Sequence, residues 1–167
     1  MARRVFFSFH HENDVFRANV ARNSGMIRGI EKAGFIDHAE FEKVKRRGNR
    51  AVYDWIDDQL NGTTVTVVLI GKETLNREFV QYEICKSLER NNGIIGVHIN
   101  GIMDQWHRTS ERGNVHTIVG HYSNGRDVYF DEIADGIYSY TLNDGYNNMG
   151  KWIEAAVANR KRLAGVK

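Results

Sequence analysis

The sequence predicts an α/β fold: a central, mostly parallel sheet flanked by helices on both faces. Three observations predict it. Short apolar runs alternate with longer amphipathic ones, the order that parallel strands and their crossover helices require. Val5-Phe6-Phe7-Ser8-Phe9 and Ile94-Ile95-Gly96-Val97-His98-Ile99 are nearly continuous in apolar character, so each reads as a strand covered on both faces. The strongest strand, residues 63–70, is rich in β-branched side chains and is stopped by Gly71.

In chain order, residues 5–9 open the core. Val15, Phe16, Val20 and Ile27 then support a first helix over 14 to about 30, with Asp14 as its cap. Gly34-Phe35-Ile36-Asp37 is a candidate second strand, and the charge-dense stretch 40–49, ending in Gly48-Asn49, reads as a long exposed loop. Ala51, Val52, Trp55, Ile56 and Leu60 recur at helical spacing and Asn61-Gly62 closes that helix. A further helix is expected over 77–90, then the strand at 94–99. Residues 100–126 hold no sustained period and read as an irregular insertion. Two short strands are expected at 127–133 and 137–142, paired as a hairpin about Asp135-Gly136, before a final helix over 148–162 whose basic end, Arg160-Lys161-Arg162, suits the helix dipole.

Composition narrows the class. A chain of 167 residues with 41% hydrophobic and 26% charged side chains suits one domain spanning 1–167. The longest apolar run, 65–70, is too short to cross a bilayer, and the N-terminus lacks the stretch of a signal peptide, so no membrane association is expected. A lone cysteine, Cys85, permits no internal disulfide and points to a reducing, cytoplasmic location. The net charge of +2 gives no general affinity for nucleic acid. His98, His107, His116 and His121 have neither a helical i, i+4 partner nor a close cysteine, so no metal site is expected. Phosphate-binding glycine loops and the Gly-x-Ser-x-Gly elbow are absent.

Ligands of open α/β sheets bind beyond the carboxyl ends of the strands, which directs attention to the residues around Phe9, Asp37, Ile70 and Ile99. Ser8, Phe9, His10 and His11 offer a hydroxyl, an aromatic face and two imidazoles there, although a strand entering a surface loop reads the same way. Glu83 is more telling. On a helical wheel it falls between Phe79 and Val80, on the stripe continued by Ile84 and Leu88, and therefore faces inward. An inward carboxylate belongs to a functional cleft or pairs with a nearby Lys or Arg, and periodicity leaves both open. Lys43-Val44-Lys45-Arg46-Arg47 suits phosphate oxygens or is a solvated loop.

These residues carry a family resemblance. Val5-Phe6-Phe7-Ser8-Phe9-His10 resembles the opening strand of TIR domains. Thr64 to Gly71, followed by Tyr82-Glu83-Ile84-Cys85-Lys86-Ser87 and Ile94-Ile95-Gly96-Val97-His98-Ile99-Asn100, resembles the TIR-like ThsB family of the bacterial Thoeris anti-phage system, and Asp144-Gly145-Tyr146-Asn147 resembles its late segment. The likeness is specific from 63 to 100 and poor from 101 to 127. It implies a flavodoxin-like TIR fold and an enzyme that cleaves the nicotinamide-ribose bond of NAD, with Glu83 at the catalytic glutamate and Phe7, Ser8, Phe9, His10 and Asp37 as substrate-binding positions. NAD would be the substrate, with no cofactor. A cyclic or conjugated ADP-ribose product would activate a separate effector protein, and a homo-oligomer and a phage-derived trigger are further expectations. The rival reading is a non-catalytic TIR-like interaction module, because fold does not fix function.

Overall fold

The computed structural model describes residues 3–23, 30–34 and 38–160. The elements run β1 (Arg3–Ser8), α1 (Val15–Arg22), β2 (Ile30–Ala33), α2 (His38–Arg46), α3 (Asn49–Leu60), β3 (Val65–Ile70), a 3-10 turn (Thr74–Asn76), α4 (Glu78–Glu89), β4 (Gly93–His98), β5 (Ile118–His121), β6 (Asp127–Tyr129), α5 (Phe130–Ile133), β7 (Gly136–Ser139) and α6 (Gly145–Ala158). The main sheet has the order β2-β1-β3-β4-β7, with every neighbouring pair parallel. This is the flavodoxin-like order, β7 taking the fifth place, and its switch point lies between β1 and β3.

The apolar runs divide between the two faces by parity, as a pleated strand requires. Val65, Val67 and Leu69 of β3 join Ala18 and Ala21 of α1 and Met149, Trp152 and Ile153 of α6 on one face. Val68 and Ile70 point the other way, to Val80 and Ile84 of α4. On that same side Phe6 of β1 packs against Val52, Ile56 and Leu60 of α3. Each such side chain, wholly buried, contributes roughly 1.5–3 kcal/mol, so the sheet's two-sided cover is the main source of its stability.

Several expectations are corrected. The stretch 40–49 is not a loop: most of it forms α2, because Phe41 and Val44 lie one helical turn apart and pack against the α3 cluster. Its charges also favour a helix, with Glu40 in the first turn and Lys43, Lys45 and Arg46 in the last. The second strand lies earlier, at Ile30–Ala33, and ends where Gly34 turns with φ +78; a Cβ there would stand 2.7 Å from both the Phe6 ring and the Phe7 carbonyl. Residues 35–37 lie outside the described residues. The first helix ends at Arg22, and Asp14 supplies no side-chain cap.

The expected hairpin does not form. Phe130 and Ile133 curl into the single turn α5 and enter the core beside Ile70 and Ile94. Gly96 leaves the space, since a Cβ on it would meet the Phe130 ring at 2.7 Å. Asp135 then bonds Ile94 twice, its amide donating to the Ile94 carbonyl at 2.7 Å and its carboxylate accepting from the Ile94 amide at 2.8 Å. That clasp starts β7 parallel to β4. β6 instead pairs antiparallel with β5, a strand inside the stretch read as irregular. The last helix runs from 145 to 158, so Arg160 lies beyond it and no basic residue occupies its final turn.

Candidate functional site

A cleft of about 250 Å³ opens at the carboxyl end of β1, beside the switch point. The loop after β1 supplies Phe9 to Glu12, α2 supplies Phe41 and Lys45, and Arg77 leads into α4, which supplies Glu78 to Val80 together with Glu83. Aromatic stacking builds one wall: the His11 ring lies between Phe9 and Phe41, with centroids 4.1 and 4.0 Å away. Trp55 meets both His11 and Phe41 edge-on from behind. Such rings present a flat apolar face suited to an aromatic ligand.

Glu83 stands at the floor, only 3% exposed. Its helix places it there as the wheel requires, since Val80, Glu83, Ile84 and Ser87 form the buried face of α4. Ser8, the last residue of β1 and fully buried, donates its hydroxyl to the Glu83 carboxylate. Burial pushes the Glu83 carboxyl up to about 8, and the Ser8 hydrogen bond offsets only part of that. Among the described residues no cation relieves it. Beneath it, Ser87 donates to the Glu83 carbonyl at 2.7 Å and meets Thr66 at 2.6 Å, which fixes this turn of α4 against β3.

The mouth of the cleft is charged. Glu12 accepts a hydrogen bond from Lys45 at 2.8 Å and lies 3.7 Å from Arg77. Its carboxyl is held below the usual range by the Lys45 hydrogen bond. His10 is 6% exposed, and among the described residues neither ring nitrogen has a hydrogen-bond partner. Burial, then the Arg77 guanidinium, lowers its pKa, which favours the neutral ring.

Comparison with known proteins gives this geometry a family. The model of the TIR-like domain of Thoeris protein ThsB matches residues 6–104. The chain belongs to that ThsB TIR-like family. It is 32% identical over 191 aligned residues to ThsB1 of Bacillus cereus (strain MSX-D12), described as a candidate cyclic ADP-D-ribose synthase; the alignment covers 92% of this chain and 100% of the relative.

Within this ThsB-family chain, the structure brings Glu83, Ser8, Phe9 and His10 together around one cleft. Phe7 goes elsewhere: it is fully buried and packs in the core with Val5 and Val67, because strand alternation turns it away from Ser8. Asp37 lies outside the described residues. Glu12, Phe41, Arg77 and Phe79 were not anticipated as site residues. Phe41 and Lys45 carry a helical i, i+4 spacing that was available in the sequence. Outside the cleft, Cys85 is half-buried and its thiol donates to the Val119 carbonyl at 3.6 Å, burial pushing its pKa up. Among the described residues no helix is long and apolar enough to cross a membrane.

Proposed function

We propose that this chain cleaves the nicotinamide-ribose bond of NAD and converts the remainder into a cyclic or conjugated ADP-ribose signal for anti-phage defence. One observation carries the reading: a buried carboxylate, without a cationic partner among the described residues, at the floor of an aromatic-walled cleft, at the sheet's switch point. An interaction module gives no reason to keep such a group, since burying an uncompensated carboxylate costs stability. The name of the Bacillus cereus relative agrees with the reaction class.

The chemistry asks little of acid catalysis. When the C1′–N bond breaks, its electron pair stays with the pyridinium nitrogen, and nicotinamide leaves neutral. What needs stabilising is the positive charge left on the ribosyl carbon and ring oxygen, as in other glycosyl transfers. Glu83, once ionised, opposes that charge in a site of low dielectric. A cationic substrate favours this ionisation for the same reason that burial resists it. A nucleophilic atom of the same molecule, held nearby, then forms the new bond to C1′, which gains from proximity. The product is expected to act on a separate effector protein.

Mixing the protein with NAD and following nicotinamide release tests the reading; no release, with or without a phage-infected cell extract, would overturn it. Ser8 has a graded effect. Its hydroxyl lowers the Glu83 pKa, so Ser8→Ala raises that pKa further and leaves less carboxylate at neutral pH. Each tenfold loss of ionised form is a tenfold loss of rate below the pKa, and about that much is expected at pH 7. The acid limb of the pH–rate profile is expected to move to higher pH, with the plateau rate retained. An unmoved limb would exclude Ser8 from this role.

A further inference from the structure

Glu12 occupies a position that its own charge does not explain. It extends from the loop after β1 over the mouth of the cleft, and three basic groups converge on it: Lys45 at 2.8 Å, Arg77 at 3.7 Å and the His10 Nε2 at 3.9 Å. These come from three separate elements, namely α2, the residue preceding α4 and the β1 loop. The first turn of α4 lines the same mouth, and the leading amides of a helix have no partners within it. Two of its neighbours are already engaged elsewhere: the Glu78 carboxylate accepts from the Tyr53 hydroxyl at 2.6 Å, and the Glu73 carboxylate accepts from the Asn13 amide at 3.0 Å.

His10 supplies the second, independent sign. It is more than nine-tenths buried, lines the cleft, and leaves both ring nitrogens without a hydrogen-bond partner among the described residues. A buried imidazole in that condition is costly unless a ligand completes it. Glu12 is nearly half exposed and stands just beyond hydrogen-bond reach of His10. It therefore neutralises the collar without satisfying it.

We infer that Lys45, Arg77 and His10 form an anion subsite for the pyrophosphate bridge of a dinucleotide, and that the Glu12 carboxylate fills this subsite in the empty protein and must swing away when substrate enters. This rests on the proposed NAD-cleaving activity for the identity of its ligand. A pyrophosphate carries more charge and more acceptor oxygens than one carboxylate, so it reaches all three groups at once where Glu12 reaches one closely. A pyrophosphate offsets the loss of the Glu12–Lys45 contact, whereas a ligand without phosphate leaves that contact in place.

Calorimetry with inorganic pyrophosphate and with ADP-ribose tests the subsite without requiring turnover, with adenosine as the uncharged control. Lys45→Ala combined with Arg77→Ala is expected to weaken both phosphate ligands about tenfold or more, and Glu12→Gln to tighten them about fivefold, leaving adenosine unchanged. All three side chains are substantially solvent-exposed, and circular dichroism checks that the variants fold. In the activity arm, KM for NAD is expected to follow the same pattern at constant kcat, while cleavage of nicotinamide riboside, which lacks phosphate, stays as it was. Pyrophosphate and ADP-ribose affinities that all three substitutions leave within about twofold would overturn the subsite. The expected affinity pattern with no nicotinamide release from either substrate would retain the subsite and overturn the proposed activity instead.

Discussion

Glu83→Gln is expected to reduce nicotinamide release from NAD by about 100- to 1,000-fold, the usual scale for removing a principal electrostatic group, and to make the protein more stable at alkaline pH. The two effects share a cause. Burial pushes the Glu83 carboxyl from an ordinary 4.5 up to about 8. The folded state therefore holds this proton more tightly than the unfolded chain does. Below about pH 4.5 both states are protonated and burial of the neutral acid exacts no ionic penalty. As pH rises the unfolded chain ionises first, stability is lost through the window, and the loss is complete once pH passes about 8. Its full size is on the order of 3–5 kcal/mol. Glutamine has no proton to lose, so the variant escapes the penalty. The melting temperatures of the two proteins are expected to lie close together at pH 5 and to separate by several degrees at pH 8.5, with the variant higher. A gap that stays constant with pH would mean that Glu83 titrates as an ordinary carboxyl. Undiminished nicotinamide release would remove it from the chemistry. The lost activity and the alkaline stabilisation together would describe a buried site in which activity is maintained at the expense of stability.

The parts of this site that were legible in the sequence are those governed by local periodicity. The Glu83 position follows from the spacing of Phe79, Val80, Ile84 and Leu88 along one helix, and the continuous apolar character of β3 and β4 follows from their two-sided burial. The rest depends on contacts between distant segments. Ser8 and Glu83 are 75 residues apart, and no pattern around either one announces their hydrogen bond. Lys45 is legible as a phosphate candidate within its basic run, but the helix that carries it is not, because charge density outweighs the two apolar residues that fix α2 to the α3 cluster. β7 was mispaired for a related reason. Its neighbour in sequence is β6, but the two bonds between Asp135 and Ile94 bring it to β4, and nothing local distinguishes these partners. Phe7 shows the opposite error: adjacent to Ser8 in sequence, it faces the other side of the sheet.

Arg17→Met is expected to cost roughly 3–5 kcal/mol, as removal of one member of a buried charged network does, a larger loss than any other substitution considered above. Arg17 is 7% exposed, yet it belongs to the buried face of a short helix. Its guanidinium donates to the Ile102 carbonyl at 2.7 Å and to the Arg108 carbonyl at 2.8 Å, and lies within 4 Å of Asp14 and Asp104. One side chain thus joins α1 to the loop that follows β4. Methionine fills much the same volume but donates nothing, so the Ile102 carbonyl loses the Arg17 bond, the Arg108 carbonyl is left with the Asp104 amide at 2.9 Å, and Asp14, 4% exposed, loses the Arg17 cation. Burial already raises the Asp14 pKa despite Arg17, and among the described residues the Thr74 hydroxyl, at 3.4 Å, then remains to help its carboxylate. The same carboxylate is wedged against Gly71, where an added Cβ would stand 2.1 Å from it, so it has little freedom to turn toward water. At 2–4 °C per kcal/mol for a domain of this size, the melting temperature is expected to fall by about 6–20 °C. Adding Asp14→Asn is expected to restore part of the loss, because the second change removes the charge that the first left stranded; the double-mutant cycle measures that coupling. A fall of less than about 1 kcal/mol for Arg17→Met, or strictly additive costs, would show that the loop after β4 is held by its own local bonds, such as those that the Trp106 and Arg108 amides donate to the Asp104 carboxylate, rather than by α1.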